Sequence, residues 1–352
     1  MAFLHAARAT LVTRLEQSGN RQQESGQESM DVSIICVNWN SLGVLRECIS
    51  SIYETTKGIA FEIIVVDNAS PEGGVDTLQA EFPAVRIIKS CKNLGFGGAN
   101  NLGFEHSSGA HVLFLNPDTK LVNPAINLML QQLQGMPDAG VVGCKLLNSD
   151  LSLQTSCIQQ FPTIVNQLLD IDFLRRRWPK SRLWGIAPLF MDAREPVRVE
   201  VISGACMMLR REAFERAGKF STEYFMYAED LDLCYKVTQL GLYNYYVGEG
   251  TVIHHGQKSS SKQGGAKPIQ WAIVMRSNSV MQFCTKTRGP AYGAIYRTAM
   301  AVTASCRLLI LALMLPLARL GGNKDSFRVT SIKWWAVLEW AIGRYELTAL
   351  PE

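Results

Sequence analysis

The 352-residue chain predicts an α/β fold, a mainly parallel sheet flanked by helices, with a helical C-terminal region behind it. Three observations carry this. Short, largely β-branched apolar runs recur from Val32 to Gly143, apolar without alternation, as in strands buried on both faces. Helix-like segments separate them, and strand–helix alternation favours parallel pairing through helical crossovers. Beyond Pro268 the strand-like runs stop and the pattern is helical throughout.

The elements follow in order. Val32–Val37 is the first strand and Leu42–Tyr53 the first helix. Glu62–Val66, Val85–Ile88, His111–Leu115 and Gly140–Gly143 are the next strands. Between them Val75–Glu81, Gly97–His106 and Pro124–Gln134 read as helices, the last with Asn123 as its cap and Pro124 in its first turn. Residues 145–200 are less regular. There the basic run Arg175-Arg-Arg-Trp-Pro-Lys180 reads as a loop, either solvated or close to a phosphate-bearing ligand. Order returns with Val199–Ile202, a helix over Arg210–Ala217 stopped by Gly218, and a helix over Leu231–Leu240 stopped by Gly241. The strands Tyr243–Val247 and Thr251–His255 follow, and Gln257–Ala266 has loop composition.

The C-terminal helices are apolar and basic. Ala291–Leu320 carries Arg297, Arg307 and, near its end, Pro316. Its longest uncharged stretch, Leu308–Ala318, is eleven residues, against roughly 20 for a membrane span, so a single clean span is not expected. Trp334, Trp335 and Trp340 beside Lys333 and Arg344 suit helices lying at a membrane interface. A subdomain packed on the core or on a second copy of the chain is the alternative.

Composition excludes some classes. With 47% hydrophobic residues the chain is neither wholly disordered nor collagen-like, and its net charge of +4 is too small for a dedicated nucleic-acid binder. That charge is unevenly placed. Residues 285–352 hold nine Lys/Arg against four acids, a net +5, which leaves −1 for the rest. Nine cysteines without a C-x-x-C pair read as reduced thiols, several of them in apolar runs. The first 30 residues lack a signal peptide's long apolar region and end in the polar run Gln17–Ser29, so they are expected to be a flexible extension, and Met30 could itself be a start.

In open α/β sheets ligands bind beyond the carboxyl ends of strands, so the residues that follow each strand matter most. Strand one runs into Val37-Asn-Trp-Asn40 and strand two into Val66-Asp-Asn-Ala-Ser70. Asp67 could accept hydrogen bonds from a ligand, or merely close an Asx turn. Asn93-Leu-Gly-Phe-Gly-Gly-Ala-Asn-Asn-Leu-Gly103 is a glycine-rich helix opening that could cradle phosphate or sugar, or pack a helix tightly on the sheet. Asn100 stands where a dinucleotide fingerprint would need glycine. Leu115-Asn-Pro-Asp118 offers a carboxylate for a divalent cation, or a plain turn. Glu229, Asp230 and Asp232 at a helix start are more acid than a cap requires, and one could serve as a general base. His254-His255-Gly could add a metal ligand or phosphate contact, or be a solvated turn.

In this order and at these spacings, residues 31–256 resemble the family 2 inverting glycosyltransferases of GT-A fold, nearest the rhamnosyltransferase-like branch of bacterial cell-surface polysaccharide synthesis. Ser203-Gly-Ala-Cys-Met-Met-Leu-Arg-Arg211 and Phe225-Met-Tyr-Ala-Glu-Asp-Leu-Asp-Leu-Cys234 belong to the same likeness. The resemblance implies a nucleotide-sugar donor, with Asp67 on the base or ribose, Asn40 nearby, and Asn93 and Asn101 lining the donor crevice. It implies that Asp118, with Asn116 in place of the first acid of an Asp-x-Asp element, holds Mg²⁺ or Mn²⁺. His254 or His255 would complete that site, with Asp230 as base beside Glu229. The expected donor is a dTDP-sugar, rhamnose first, or a UDP-sugar, and the acceptor a lipid-linked saccharide or polysaccharide. Nucleic acid is not an expected partner; an anionic membrane surface is, and a homo-oligomer is left open. The expected organisation is an N-terminal extension over 1–30, a catalytic domain over 31–266 and a C-terminal region over 267–352. The enzyme would work in the cytoplasm, peripheral at the inner face of the cytoplasmic membrane. A non-catalytic relative of the same fold is the competing reading, and a nucleotidyltransferase is disfavoured because Asn38-Trp-Asn-Ser41 replaces the basic glycine-rich loop of that class.

Overall fold

The computed structural model describes residues 30–169, 172–191, 194–256, 266–320 and 324–345, so the expectations for residues 1–29 and for most of the 257–266 loop lie outside the described residues. Strand β1 (Val32–Asn38) is buried along nearly its whole length, as its β-branched run requires. Helix α1 (Leu42–Thr55) lays Leu45, Cys48, Ile49 and Ile52 on the sheet at helical spacing. β2 (Phe61–Asp67), α2 (Thr77–Glu81), β3 (Arg86–Lys89), α3 (Gly95–Glu105) and β4 (His111–Leu115) repeat the unit. Then come β5 (Thr119–Leu121), α4 (Ala125–Gly135), β6 (Ala139–Leu147), β7 (Ile158–Gln159), α5 (Ile164–Leu168) and α6 (Asp172–Arg177). A 3₁₀ turn at Ala187–Phe190 leads to β8 (Val197–Val199), β9 (Val201–Ile202), β10 (Cys206–Arg210), α7 (Arg211–Arg216), α8 (Glu229–Gln239) and β11 (Tyr243–His254). Three helices close the chain: α9 (Ala266–Arg288), α10 (Pro290–Leu320) and α11 (Lys324–Ala341).

The main sheet has the order β3-β2-β1-β4-β10-β6-β11-β5, with β8 also paired to β11. β1 to β4, β6 and β11 run one way, while β5, β8 and β10 run against them. The sheet is therefore mixed, and most strands share one direction as expected. β10 enters antiparallel between β4 and β6. Strand order reverses at β1, with β2 on one side and β4 on the other, so the loops leaving β1 and β4 diverge and open a crevice at their carboxyl ends.

Some expectations are corrected. The two late strands are one, β11, whose pairing with β6 slips between Val247 and Thr251. Asn123 does not cap α4. Its amide nitrogen donates to the Glu249 carbonyl at 2.7 Å and its oxygen accepts from the Thr251 N–H at 2.9 Å, so it fills that irregularity. Arg175–Arg177 end a short helix rather than lying in a loop. In the C-terminal region Trp334 and Trp340 are buried with Phe283, Tyr296 and Val337, and Trp335 alone of the three tryptophans is exposed. The guanidinium of Arg297 donates to the carbonyls of Trp340 and Ala341, and that of Arg307 to Leu168. With those two as its only charges, Pro290–Met314 is long and apolar enough to cross a membrane by length and composition, which the eleven-residue uncharged run did not foretell.

Candidate active site

The crevice begins at the end of β1. Asn38 donates from Nδ2 to Asp67 Oδ1 at 2.8 Å, and its Oδ1 accepts from the backbone N–H and hydroxyl of Ser41. Ser70 Oγ also donates to Asp67 Oδ1, at 2.6 Å. Asp67 is buried, and its second oxygen has no partner of this kind among the described residues. Asn40 has a left-handed backbone (φ 51°); its N–H donates to Ser70 Oγ and its side-chain oxygen accepts from the Glu72 N–H. Asn40 thus shapes the loop beside Asp67 rather than touching it. Asn38, which does touch it, was not among the expected site residues, although it lies within the quoted motif.

Asn93 is drawn to the end of β2 by Asn68, whose Nδ2 donates to Asn93 Oδ1 at 2.9 Å. The same oxygen accepts from the Gly95 N–H, and Gly95 opens α3 with φ +71°. A Cβ there would lie 2.2 Å from the Phe225 carbonyl oxygen, so only glycine fits. Asn101 holds the Phe220 backbone with both ends of its amide, donating at 2.9 Å and accepting at 3.1 Å. It fixes the turn before the acidic segment, and its second N–H and oxygen lone pair are what it has left to offer a donor.

Asn116 and Asp118 follow β4 and meet His254 at the end of β11. His254 Nε2 lies 3.3 Å from Asp118 Oδ1 and 3.2 Å from Asn116 Nδ2. Gln154 Oε1 sits 2.8 Å from His254 Nδ1, and Gln154 Nε2 donates to Asn148, so the amide oxygen accepts from Nδ1–H. In that tautomer Nε2 is a lone-pair atom that accepts from Asn116 Nδ2 and stands beside the Asp118 carboxylate oxygen. A cation placed there would meet both the ring nitrogen and the carboxylate. An imidazole nitrogen and a carboxylate oxygen are donors that suit Mn²⁺ or Mg²⁺. Among the described residues no three His, Cys, Asp or Glu side chains converge, so Asp118 and His254 are the two that could hold a cation here. Of the two histidines, His254 turns to Asp118. His255 bonds Ser149 Oγ through its ring and gives Asp118 only its backbone N–H. Gln154 carried no signal in the sequence.

The acidic segment closes the site. Tyr227 and Ala228 both have left-handed backbones (φ 69° and 66°), each a cost of roughly 1–3 kcal/mol, and they aim the first turn of α8. Three acids there have three fates. Asp232 is fully buried and held by Ser221 Oγ, Lys236 and Lys286, which makes it structural. Glu229 is buried with Oε2 lacking a hydrogen-bond partner. Burial, then the charge of Asp230, pushes its carboxyl up to about 8. Asp230 stays partly accessible; its Oδ2 accepts from the Gly204 N–H at 3.0 Å and its Oδ1 from the Leu231 N–H at 2.9 Å. Burial raises its pKa, while those N–H groups and Arg276 of α9 pull it back. Raised to about 8, Glu229 holds its proton at neutral pH, while the two N–H groups and Arg276 favour the carboxylate form of Asp230 against its burial. Gly204 and Ala205 tie the two halves together. The Gly204 N–H holds Asp230, and the Ala205 carbonyl accepts from the Asn116 N–H at 2.9 Å.

Comparison with known proteins bears on this geometry. The family model described as Glycosyl transferase family 2 matches residues 33–218, more than half of the chain. An N-acetylglucosaminyl-diphospho-decaprenol L-rhamnosyltransferase of Mycobacterium tuberculosis is 29% identical over 213 residues, covering 57% of this chain and 68% of that protein. Rhamnosyltransferase WbbL of Escherichia coli is 24% identical over 190 residues, covering 51% and 67%. Among solved structures, a mannosyltransferase from Pyrobaculum calidifontis in complex with GDP-Man and Mn²⁺ superposes with a TM-score of 0.55 at 17% identity, over 90% of this chain and 88% of that one. GalNAc-T7 with UDP, GalNAc and Mn²⁺ superposes with a TM-score of 0.53 at 14% identity, over 75% and 52%. The fold is thus of the GT-A type, and both of these fold neighbours are transferases with Mn²⁺ bound.

Proposed function

The chain belongs to glycosyl transferase family 2 and is a glycosyltransferase, and from that premise we propose an inverting enzyme with Asp230 as its base. The donor is a nucleotide-diphosphate sugar, rhamnose from its dTDP form first, or a UDP-sugar. The acceptor is a hydroxyl of a lipid-linked saccharide or polysaccharide. The observation that carries this is the position of Asp230: partly accessible, held by two backbone N–H groups, and joined through the Gly204–Ala205 dipeptide to the Asn116–Asp118–His254 cluster.

The residues divide the work. Asp67, set by Asn38 and Ser70, takes the donor base or ribose, with Asn40 and Asn93 shaping the adjoining loops. The acceptor oxygen attacks the anomeric carbon, the bond from that carbon to the diphosphate oxygen breaks, and the hydroxyl proton passes to Asp230. A Mg²⁺ or Mn²⁺ ion held by Asp118 and His254 would offset the charge gathering on the diphosphate. Glu229, protonated beneath Asp230, keeps the local charge to one and acts as a positioning residue. Residues 31–266 are the catalytic unit. Residues 267–352 hold it at the inner face of the cytoplasmic membrane.

The test is Asp230→Asn. Transfer falls by at least about 10²–10³-fold while donor binding is kept. Near-normal turnover rejects Asp230 as base, and full activity in excess chelator rejects the cation.

A further inference from the structure

The basic run that stood out in the sequence lies between α5 and β8. The chain between α5 and β8 folds around an open apolar pocket of about 640 Å³, within the size range of small-ligand sites. Leu174, Trp178, Leu183 and Trp184 form its walls, with Arg177 and Lys180 among them. The indole N–H of Trp184 donates to the Trp178 carbonyl at 3.0 Å, so Trp184 presents ring surface rather than a donor. Phe173 and Trp178 remain 68% and 53% exposed. An apolar pocket bearing cations suits an amphiphile with an anionic head. The hydrocarbon supplies affinity by burial, and the cations select phosphate.

The surroundings point to the same occupant. α5 is fastened to α10: the Ile164 N–H donates to Tyr292 OH at 3.2 Å and Arg307 to the Leu168 carbonyl at 2.9 Å. Leu169, the next residue, lines the pocket. α10 exposes Ile295, Val302, Leu309, Ile310, Leu313 and Met314, with no charge among them. The pocket is thus tied, through α5, to the helix that carries an exposed apolar strip.

We propose that this pocket holds the hydrocarbon chain of a prenyl-type lipid diphosphate, the anionic carrier end of the acceptor, with Arg177 and Lys180 on its diphosphate. The proposal rests on the lipid-linked acceptor put forward above. It is a site for one lipid molecule, distinct from contact with a bilayer surface.

Calorimetry on the full chain with geranylgeranyl diphosphate, below its micelle concentration, tests it. The compound binds, and geranylgeraniol or inorganic diphosphate alone binds at least about tenfold more weakly. Trp178→Ala and Lys180→Ala, both at exposed positions, each weaken binding by roughly three- to tenfold and leave melting temperature and donor hydrolysis unchanged. Unaltered affinity in both variants overturns the proposal. So does loss of binding to phosphatidylglycerol vesicles with retained affinity for the diphosphate, which would assign the surface to a bilayer. Pocket-dependent binding without glycosylation of any lipid-linked saccharide upholds the pocket and rejects the acceptor reading instead.

Discussion

Glu229 and Asp230 are neighbours in sequence but differ in hydrogen bonding: Asp230 receives two backbone N–H groups and Glu229 Oε2 none. The difference has consequences with a definite sign. Glu229 is raised to about 8 in the folded chain, against roughly 4.3 in an unfolded one. Between those values the folded protein holds a proton that the unfolded chain has lost, so stability falls as pH rises through that window. Glu229→Gln has no such proton. Its melting temperature should gain on the wild type by a few degrees between pH 5 and pH 8, and a gap that does not change with pH would contradict the assignment. Asp230 is raised as well, with Arg276 opposing the rise. Removing that cation disfavours the carboxylate further. Arg276→Ala should therefore move the acidic limb of the kcat/KM profile to higher pH, as read from pH–rate curves.

At the scale of elements, α3 meets the loop that leads into α8 because glycine allows it. The Phe96 N–H donates to the Phe225 carbonyl at 3.2 Å, and the bare Gly95 lets the two segments approach. α9 braces the same loop from outside, where Ser279 Oγ donates to the Met226 carbonyl at 2.9 Å. Gly95→Ala should destabilise by about 2 kcal/mol or more and lower transfer, because the chain must move to admit a methyl group. Gly43→Ala in the first turn of α1, where nothing lies within 4 Å, should be neutral or stabilise by up to about 1 kcal/mol. Chemical denaturation of both variants compares them directly. Much of this architecture was legible in the sequence. β1, β2 and β4 end within a residue of where their apolar runs do, because strands buried on both faces leave a continuous pattern. β10 was missed as a strand. Its run Cys206–Arg210 is short and methionine-rich, and its antiparallel partners lie far away in sequence.

For the whole molecule, the C-terminal charge was the chief sequence argument for a membrane, and the fold redirects part of it. Lys286 pairs with Asp232 and Glu223, Arg288 donates to the Pro162 carbonyl, and Arg297 and Arg307 bind carbonyls as well. Those cations hold the C-terminal helices together and against the catalytic unit, whereas Arg328, Lys333 and Arg344 stay exposed. α10 exposes an apolar strip as well. In the proposed membrane contact, burial of that strip would add to the attraction of the exposed cations. Leu309→Glu with Leu313→Glu should reduce vesicle association by about tenfold or more and leave donor hydrolysis intact, whereas adding salt should reduce only what the exposed cations contribute. Flotation with anionic and neutral vesicles measures both; equal binding by the double variant would place the contact elsewhere.

The sequence by itself determined the alternation of strand and helix, the family likeness, and the acids and amides that gather after the strands. Those features are local: periodicity, turn chemistry and motif spacing are written in neighbouring residues. Only the tertiary structure decided which residues meet. It turned His254 rather than His255 toward Asp118, set Asn38 rather than Asn40 on Asp67, and committed Asn101 to the backbone of Phe220. It also divided Glu229, Asp230 and Asp232 into a buried acid with an unpartnered oxygen, a partly accessible acid held by backbone N–H groups, and a structural anchor. Those outcomes depend on burial and on partners as far as 138 residues away, and no local pattern encodes either.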